Sequence, residues 1–563
     1  MTKEEIKLRI AYVQMKVSAG HPDVNTKKIL KFIDEARAGG ADMIIFPKFA
    51  VSGLMLGDVW NQNSFRADCT YYGEEIIAAS QNIVVVFGNA HRVLGGNFSH
   101  VARNGKLIEL RDYSTGIDVK LGKKTYRVEI KVGDEETFVQ HLDKKYGGKK
   151  YDFAIKSSME PFYLEKNILD NKIPDKFPLI YVDCVGIQNT GKTLYTFDGS
   201  SAVFNSRGEI VQLAEPFEEC LNFIELDEID KMPALELPEV SETEKIYRAI
   251  SYGVKSFLEQ IGMKKIVIGV SGGIDSAVAA ALYTKVLGAE NVVLVNMPSV
   301  FNSDTTKNLS EQLAKNLGCK YYVVPIQESV DWTVKQLTER GIEVSSFVKE
   351  NIQARDRSSR ILAAIAASIG GGFTCNANKA ETTVGYATLY GDEAGFLSAL
   401  ADLWKYQVYD LARYMNEEIF KHEVIPQGII DIVPSAELSP AQNVDEGKGD
   451  PLKYPYHDYL FRAFAEGNLT PEEILHWYAN GELEKNIGCK SELVKKYFPT
   501  AQDFIADLER WWKQFTGMGI AKRIQSPPIL AVSDVPYGAN AESQNGVHFT
   551  KNYLELRDKL LAR

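Results

Sequence analysis

Apolar residues fall in short, nearly unbroken runs along the first half of the chain. Leu8 to Val13, Met43 to Phe46, Ile83 to Gly88 and Leu179 to Val185 have strand length and are bounded by polar or turn residues. Between the first two runs, Asn25 to Arg37 repeats at helical spacing and stops at Gly39-Gly40, and Pro47 ends the second run. This alternation predicts an α/β layered region. Phe223 to Val240 is acidic and holds two prolines, so it reads as a boundary between a region 1–236 and a region 237–563. Ser241 to Leu258 then places Ile246, Ala249, Ile250, Val254 and Phe257 three and four apart, as one helix face. Ile266 to Val270 follows as a buried parallel strand, and strand–helix alternation continues through Ser310 to Leu317 and Tyr321 to Val324. There is no internal repeat and no low-complexity segment.

The strand at Ile266 ends in Gly269, Val270, Ser271, Gly272, Gly273, Ile274, Asp275 and Ser276, and Ala277 to Leu282 is rich in good helix formers. A strand, a small-residue loop and a helix start aim backbone N–H groups and the positive end of the helix dipole at one spot. Glycine lets the backbone approach a phosphate closely. Asp275 repels a phosphate directly but can hold Mg²⁺, which in turn holds pyrophosphate. The competing reading is an ordinary tight turn. No Lys closes the loop, so it is not a Walker sequence; SGGxDS resembles the pyrophosphatase loop of enzymes that split ATP into AMP and pyrophosphate.

Composition narrows the class. A chain of 563 residues with 45% hydrophobic and 25% charged content suits two to four globular domains. A net charge of −11 argues against a non-specific nucleic-acid or membrane surface. The cysteines, Cys69, Cys184, Cys220, Cys319, Cys375 and Cys489, lack CxxC spacing, so neither a disulfide framework nor a zinc site is expected. MTKEEIKLRI lacks an apolar signal core and no run approaches membrane length, which makes a cytoplasmic enzyme the expectation.

From the loop to about Tyr459 the chain resembles NAD synthetases, through GVSGGIDSAVAAALYTKVLGAENVVLVNMPS, Asn351 to Arg357 opening a long helix, Phe373 to Glu381, Gly385 to Asp392, Asp402 to Val408 and Val433 to Leu438. The resemblance implies ATP-dependent adenylation of deamido-NAD, then amidation by ammonia to NAD, AMP and pyrophosphate. It implies Asp275 and Glu381 on Mg²⁺, with Lys405 neutralising phosphate charge. Residues Gly269 to Ser276, Asn376, Lys405 and Ser435 would hold ATP. Asn351, Arg355, Arg357, Glu381, Asp392 and Lys522 would hold the dinucleotide. Out of that context the charged residues among these would read as surface groups. Asn376 stands where the family usually has a Thr. The tail, with Lys522-Arg523 and Pro527-Pro528, ends in a helix over Tyr553 to Leu561, and Trp511-Trp512 reads as core.

RIAYVQMKVSAGHPDVNTKKILKFIDEARAGGADMIIFPKFAVSGLMLGDVW resembles a nitrilase-type amidohydrolase, closest to the glutaminase half of two-domain NAD synthetases, and the likeness returns at Asn104-Gly105-Lys106, Ser157 to Asn167 and GIQNTGKTLYTFDGSSAVFNSRGEIV. The implied fold is a nitrilase-like α/β sandwich followed by a doubly wound parallel-sheet adenine-nucleotide α-hydrolase-like domain with a C-terminal helical extension. The departures fall on the chemistry. Lys48 occupies the place of the general-base Glu, Leu110 to Tyr113 that of the oxyanion Lys, and no Cys lies between Cys69 and Cys184. Without a thiol there is no acyl-enzyme, so a degenerate, structural glutaminase is expected and Cys184 reads as a core thiol. Gly186 to Thr193 fits the Walker string, yet strand-forming residues follow where a helix would have to begin. The family further implies pairing through the synthetase domain and, with ammonia as substrate, a possible separate glutaminase. The rivals are a glutamine-dependent synthetase with a rearranged site, a tRNA-modifying adenylase, which would want a basic face or catalytic cysteines, and a non-catalytic regulator.

Overall fold

The computed structural model describes residues 8–90, 97–111, 115–121, 124–132, 151–171, 177–537 and 546–562. The chain divides into two compact units, Met1–Thr190 with Leu194–Val240, and Gly191–Thr193 with Ser241–Arg563.

In the first unit the strands are β1 (Arg9–Gln14), β2 (Met43–Ile45), β3 (Val84–Ala90), β4 (Asn97–Arg103), β5 (Lys106–Arg111), β6 (Thr115–Leu121), β7 (Lys124–Val132), β8 (Phe153–Ser157), β9 (Leu179–Val182), β10 (Val185–Thr190), β11 (Thr193–Asp198), β12 (Ala202–Phe204), β13 (Ile210–Leu213) and β14 (Cys220–Glu225). One sheet has the order β14-β1-β2-β3-β4-β5 and another β13-β12-β9-β8-β7-β6. The period of two sorts the side chains. Ile10, Tyr12, Met43, Ile45, Val84 and Val86 face the second sheet and pack on Val128, Ile130, Phe153, Ile155, Ile180 and Val182. Their alternates Ala11, Val13, Ile44, Val85 and Phe87 face α1 (Pro22–Ala38) and α2 (Asn63–Ala79), meeting Ile29, Ile33, Ile76 and Ile77. Each such buried side chain contributes roughly 1.5–3 kcal/mol, and a one-residue slip would reverse every assignment.

The run Leu179 to Val185 is broken into two strands rather than one. At the break the Asp183 carboxylate accepts from the Cys184 amide at 2.7 Å, and the Asp183 amide donates to Ser201 Oγ at 2.9 Å, so side chains replace the ladder there. The Walker-like string lies across β10 and β11, which neighbour each other in a sheet, with a turn and no helix between them.

In the second unit β15 (Ile266–Gly269), β16 (Val292–Asn296), β17 (Lys320–Val323) and β18 (Gly372–Phe373) form an all-parallel sheet in the order β17-β16-β15-β18. The helix Glu242–Ile261 is capped by Ser241, whose Oγ accepts from the Glu244 amide, and stops at Gly262 in the left-handed region. The helix Ile274–Leu287 is buried on nearly all sides. Asn351 to Arg357 does not open a helix: its first five residues are the second half of the helix Ser346–Arg355, and a π-helical stretch, Asp356–Leu362, carries the chain into Ala363–Ile369. The sequence expectation missed the true start because Ser345, the N-cap, lies upstream of the family motif. The C-terminal helices pack an aromatic core in which Trp511 is buried with Phe461, Phe504 and Tyr553, and the last helix is Lys551–Leu561. Among the described residues no helix is long and apolar enough to cross a membrane.

Candidate active site

The loop Val270 to Gly273 leaves the carboxyl end of β15 and feeds the helix Ile274–Leu287. Gly272 has φ of +88°, and a Cβ there would lie 2.4 Å from the Thr306 carbonyl oxygen, so only glycine closes this turn. Ser276 Oγ donates to the Gly273 carbonyl at 3.0 Å and sits 3.4 Å from Ser271 Oγ. Gly273, the N-cap, brings no side-chain cap, which leaves the first-turn amides without one.

Facing this loop are two carboxylates and an ammonium. Lys405 Nζ lies 2.5 Å from Asp275 Oδ2 and 3.7 Å from Glu381 Oε1, and 4.7 Å from the Tyr454 ring centroid. Asn378 donates to Asp275 Oδ1 at 3.0 Å and the Tyr454 hydroxyl donates to Glu381 Oε1 at 2.9 Å. Glu381 is placed by a capping box at the start of the short helix Lys379–Val384: its amide donates to Asn378 Oδ1. Buried Lys379 pairs with Asp402 at 2.9 Å and Glu466 at 2.7 Å, tying this helix to the segment that precedes Lys405. Loss of water pushes the Glu381 carboxyl upward, with Lys405 opposing and Asp275 and Asp450 adding to the rise. Desolvation works against the charge on Lys405, but Asp275 and Glu381 outweigh it and hold the ammonium protonated.

These groups line a cavity of about 280 Å³ in the second unit. It brings together Gly269 to Ser276, Asn376, Glu381, Arg357, Asp392, Lys405 and Ser435. It does not bring in three of the expected residues. Asn351 donates to the Phe347 carbonyl on its own helix, exposed Arg355 to the Leu389 carbonyl, and Lys522 to the Gly385 carbonyl. Asn376 is committed to the strand, donating to the Gly269 carbonyl at 3.3 Å and accepting from Thr374 Oγ1 at 2.8 Å. Ser435 Oγ donates to Gln442 O within its own loop. Sequence reasoning missed Asn378, Tyr454, Asp450 and Glu393. Asn378 was readable as an N-cap three residues before Glu381. Asp450 and Tyr454 come from a distant segment and carry no local signal, and Glu393, next to Asp392, has no pattern that marks its burial.

Residues 246–491 match the NAD synthase family. The second unit carries an NAD synthase domain. The glutamine-dependent NAD(+) synthetases of Aquifex aeolicus and Synechocystis are each 29% identical to the chain, over 83% and 94% of it and 91% and 97% of their own lengths. The glutamine-dependent NAD(+) synthetase from Cytophaga hutchinsonii superposes with a TM-score of 0.75 at 16% identity, covering 98% of this chain and 100% of its own. That from Acinetobacter baumannii, solved with ADP, gives 0.68 at 22%, covering 95% and 98%. The fold is therefore that of two-domain NAD synthetases, a nitrilase-like unit followed by the synthase unit.

In the nitrilase-like unit the segments after β2 and β8 meet, the Lys48 amide donating to the Ser158 carbonyl at 3.1 Å. Ser158 Oγ donates to Glu160 Oε1 at 2.7 Å. Cys184 is fully buried and burial, with Asp183, pushes its thiol well above the usual range. Cys69 is likewise buried and raised to about 12, by desolvation first and Asp68 second. Asp112 and Tyr113, in the stretch that replaces the oxyanion Lys, lie outside the described residues.

Proposed function

We propose that the synthase domain adenylates the carboxyl group of deamido-NAD with ATP and lets ammonia displace AMP, yielding NAD and pyrophosphate. The observation that carries this reading is the cavity in which the glycine-serine loop faces Asp275, Lys405 and Glu381, within the stretch that matches the NAD synthase family. A carboxylate does not react with ammonia until its oxygen becomes part of a leaving group. The deamido-NAD carboxylate attacks the α-phosphorus of ATP, and pyrophosphate departs into the loop, where the first-turn amides and the Ser271 and Ser276 hydroxyls face it. Lys405 turns its ammonium from Asp275 towards the charge that develops on the phosphate. The carboxylate oxygens of Asp275 and Glu381 suit Mg²⁺, a hard cation that shares its remaining positions with phosphate oxygens and would supply charge neutralisation to the leaving pyrophosphate. Arg357 and Asp392 line the part of the cavity we assign to the dinucleotide.

Ammonia is the nitrogen source we favour. Lys48 replaces a general base, and the Cys184 thiol is sealed in the core with its proton held. The relatives' names and their nearly full-length coverage favour a second reading, in which glutamine supplies the nitrogen through a rearranged site in the first unit and no separate glutaminase is needed. We also propose a homo-oligomer, which light scattering of a monomer would remove. The experiment for the reaction is mass spectrometry of AMP: release only when deamido-NAD accompanies ATP supports the reading, and release with an unrelated acceptor or none overturns it.

A further inference from the structure

The cavity wall carries five carboxyl side chains against two cationic ones, Arg357 and Lys405. Four of the acids are held. Asp275 accepts from Lys405 and Asn378, Glu381 from Tyr454, Asp392 from the Thr388 amide at 2.7 Å, and Asp450 from the Ala436 amide at 3.0 Å. Among these five acids Glu393 is the exception. It is 2% exposed, and its Oε1 accepts no hydrogen bond. A buried carboxyl oxygen without a donor is costly, and in a cavity wall it can be satisfied by a donor that arrives with the substrates. Loss of water pushes it up to about 8; Asp392 adds to this, Lys522 opposes, Glu381 adds and Arg523 opposes. Of the species that the proposed reaction brings into the cavity, ammonium, a small cation rich in N–H donors, matches an acceptor oxygen left without a donor.

We propose that Glu393 is the ammonium-binding and proton-accepting residue of the synthase domain. The step rests on the reaction proposed above. NH₄⁺ enters as the counter-ion of the Glu393 carboxylate and gives it one proton, leaving NH₃ and a neutral carboxyl group. The nitrogen lone pair attacks the acyl carbon of the adenylate, the C–O bond to AMP breaks, and the new amide nitrogen sheds its surplus proton to the departing AMP. Glu393 then returns its proton to water.

The test uses the full chain, with Glu393→Gln and Glu393→Asp assayed against ammonium, ATP and deamido-NAD in turn. Losing a buried charge-assisted hydrogen bond corresponds to roughly ten- to hundredfold in affinity. Glu393→Gln is expected to raise the KM for ammonium by about tenfold or more, with the KM for ATP and deamido-NAD moving by less than about twofold. The pH profile of kcat/KM for ammonium is expected to lose its ionisation near 8, and Glu393→Asp to recover part of the loss. An ammonium KM and pH profile equal to those of the unaltered chain in both variants would overturn the assignment. If the unaltered chain shows no exchange of labelled pyrophosphate into ATP in the presence of deamido-NAD, it is the proposed reaction that fails, independently of Glu393.

Discussion

Lys166 in the first unit and Lys405 in the second are each buried between two carboxylates, and these two clusters differ in what surrounds them. In the nitrilase-like unit Lys166 lies 2.9 Å from Asp198 and 3.4 Å from Asp183, with side chains 6%, 10% and 0% exposed. The Tyr181 hydroxyl donates to Asp183 at 2.9 Å, Ser200 to Asp198 at 2.6 Å, and the Cys184 amide to Asp183. In the synthase domain Lys405 is as deeply placed, at 4%, but Asp275 and Glu381 keep 18% and 19% exposure and line the cavity. The same charge arithmetic is thus spent inside the fold at Lys166, as it is at Lys379, and offered to a ligand at Lys405. A sealed cluster acts on stability; an open one can exchange its lysine for phosphate charge and a cation.

That contrast predicts a split between stability and catalysis. Lys166→Met leaves two acids buried without their cation and is expected to destabilise the first unit by about 3–5 kcal/mol, read as a lower denaturant midpoint, with kcat of the folded fraction unaltered. Lys405→Met should do the reverse, lowering kcat by about 10²–10³-fold with little change in the midpoint. If both variants lose activity alike, the comparison breaks. Smaller effects sharpen it. Tyr454→Phe removes one hydrogen bond to Glu381 and should cost about 1.5–3 kcal/mol in kcat/KM. Burial first, with Glu160 and Asp198 adding and Lys166 opposing, pushes the Asp183 carboxyl up to about 7. Its folded value exceeds its unfolded one, so the folded state binds the extra proton and stability falls as pH rises from about 4 to about 7. Asp183→Asn should flatten that slope in pH-dependent unfolding. Smallest is Cys184→Ala, expected to cost about 1 kcal/mol of stability and to leave turnover with either nitrogen source as it was.

The fold and the centre of the site were legible because they are written locally. The strand–SGG–helix pattern, the strand-length apolar runs and the hairpin in place of a Walker helix all follow from neighbours in sequence. What the sequence hid was non-local. Tyr454 reaches Glu381 across 73 residues, and neither residue has a periodic signal. Asn351, Arg355 and Lys522 were assigned by resemblance, but each donates to a backbone carbonyl and is not among the residues that line the cavity. The break at Asp183 was invisible because an apolar run does not reveal a side chain that takes over the backbone's hydrogen bonds.

The most direct test is to supply the purified chain with ATP and deamido-NAD and to measure NAD formed with ammonium against glutamine. The account predicts turnover with ammonium and none above background with glutamine. Sustained turnover with glutamine as the sole nitrogen source would contradict it.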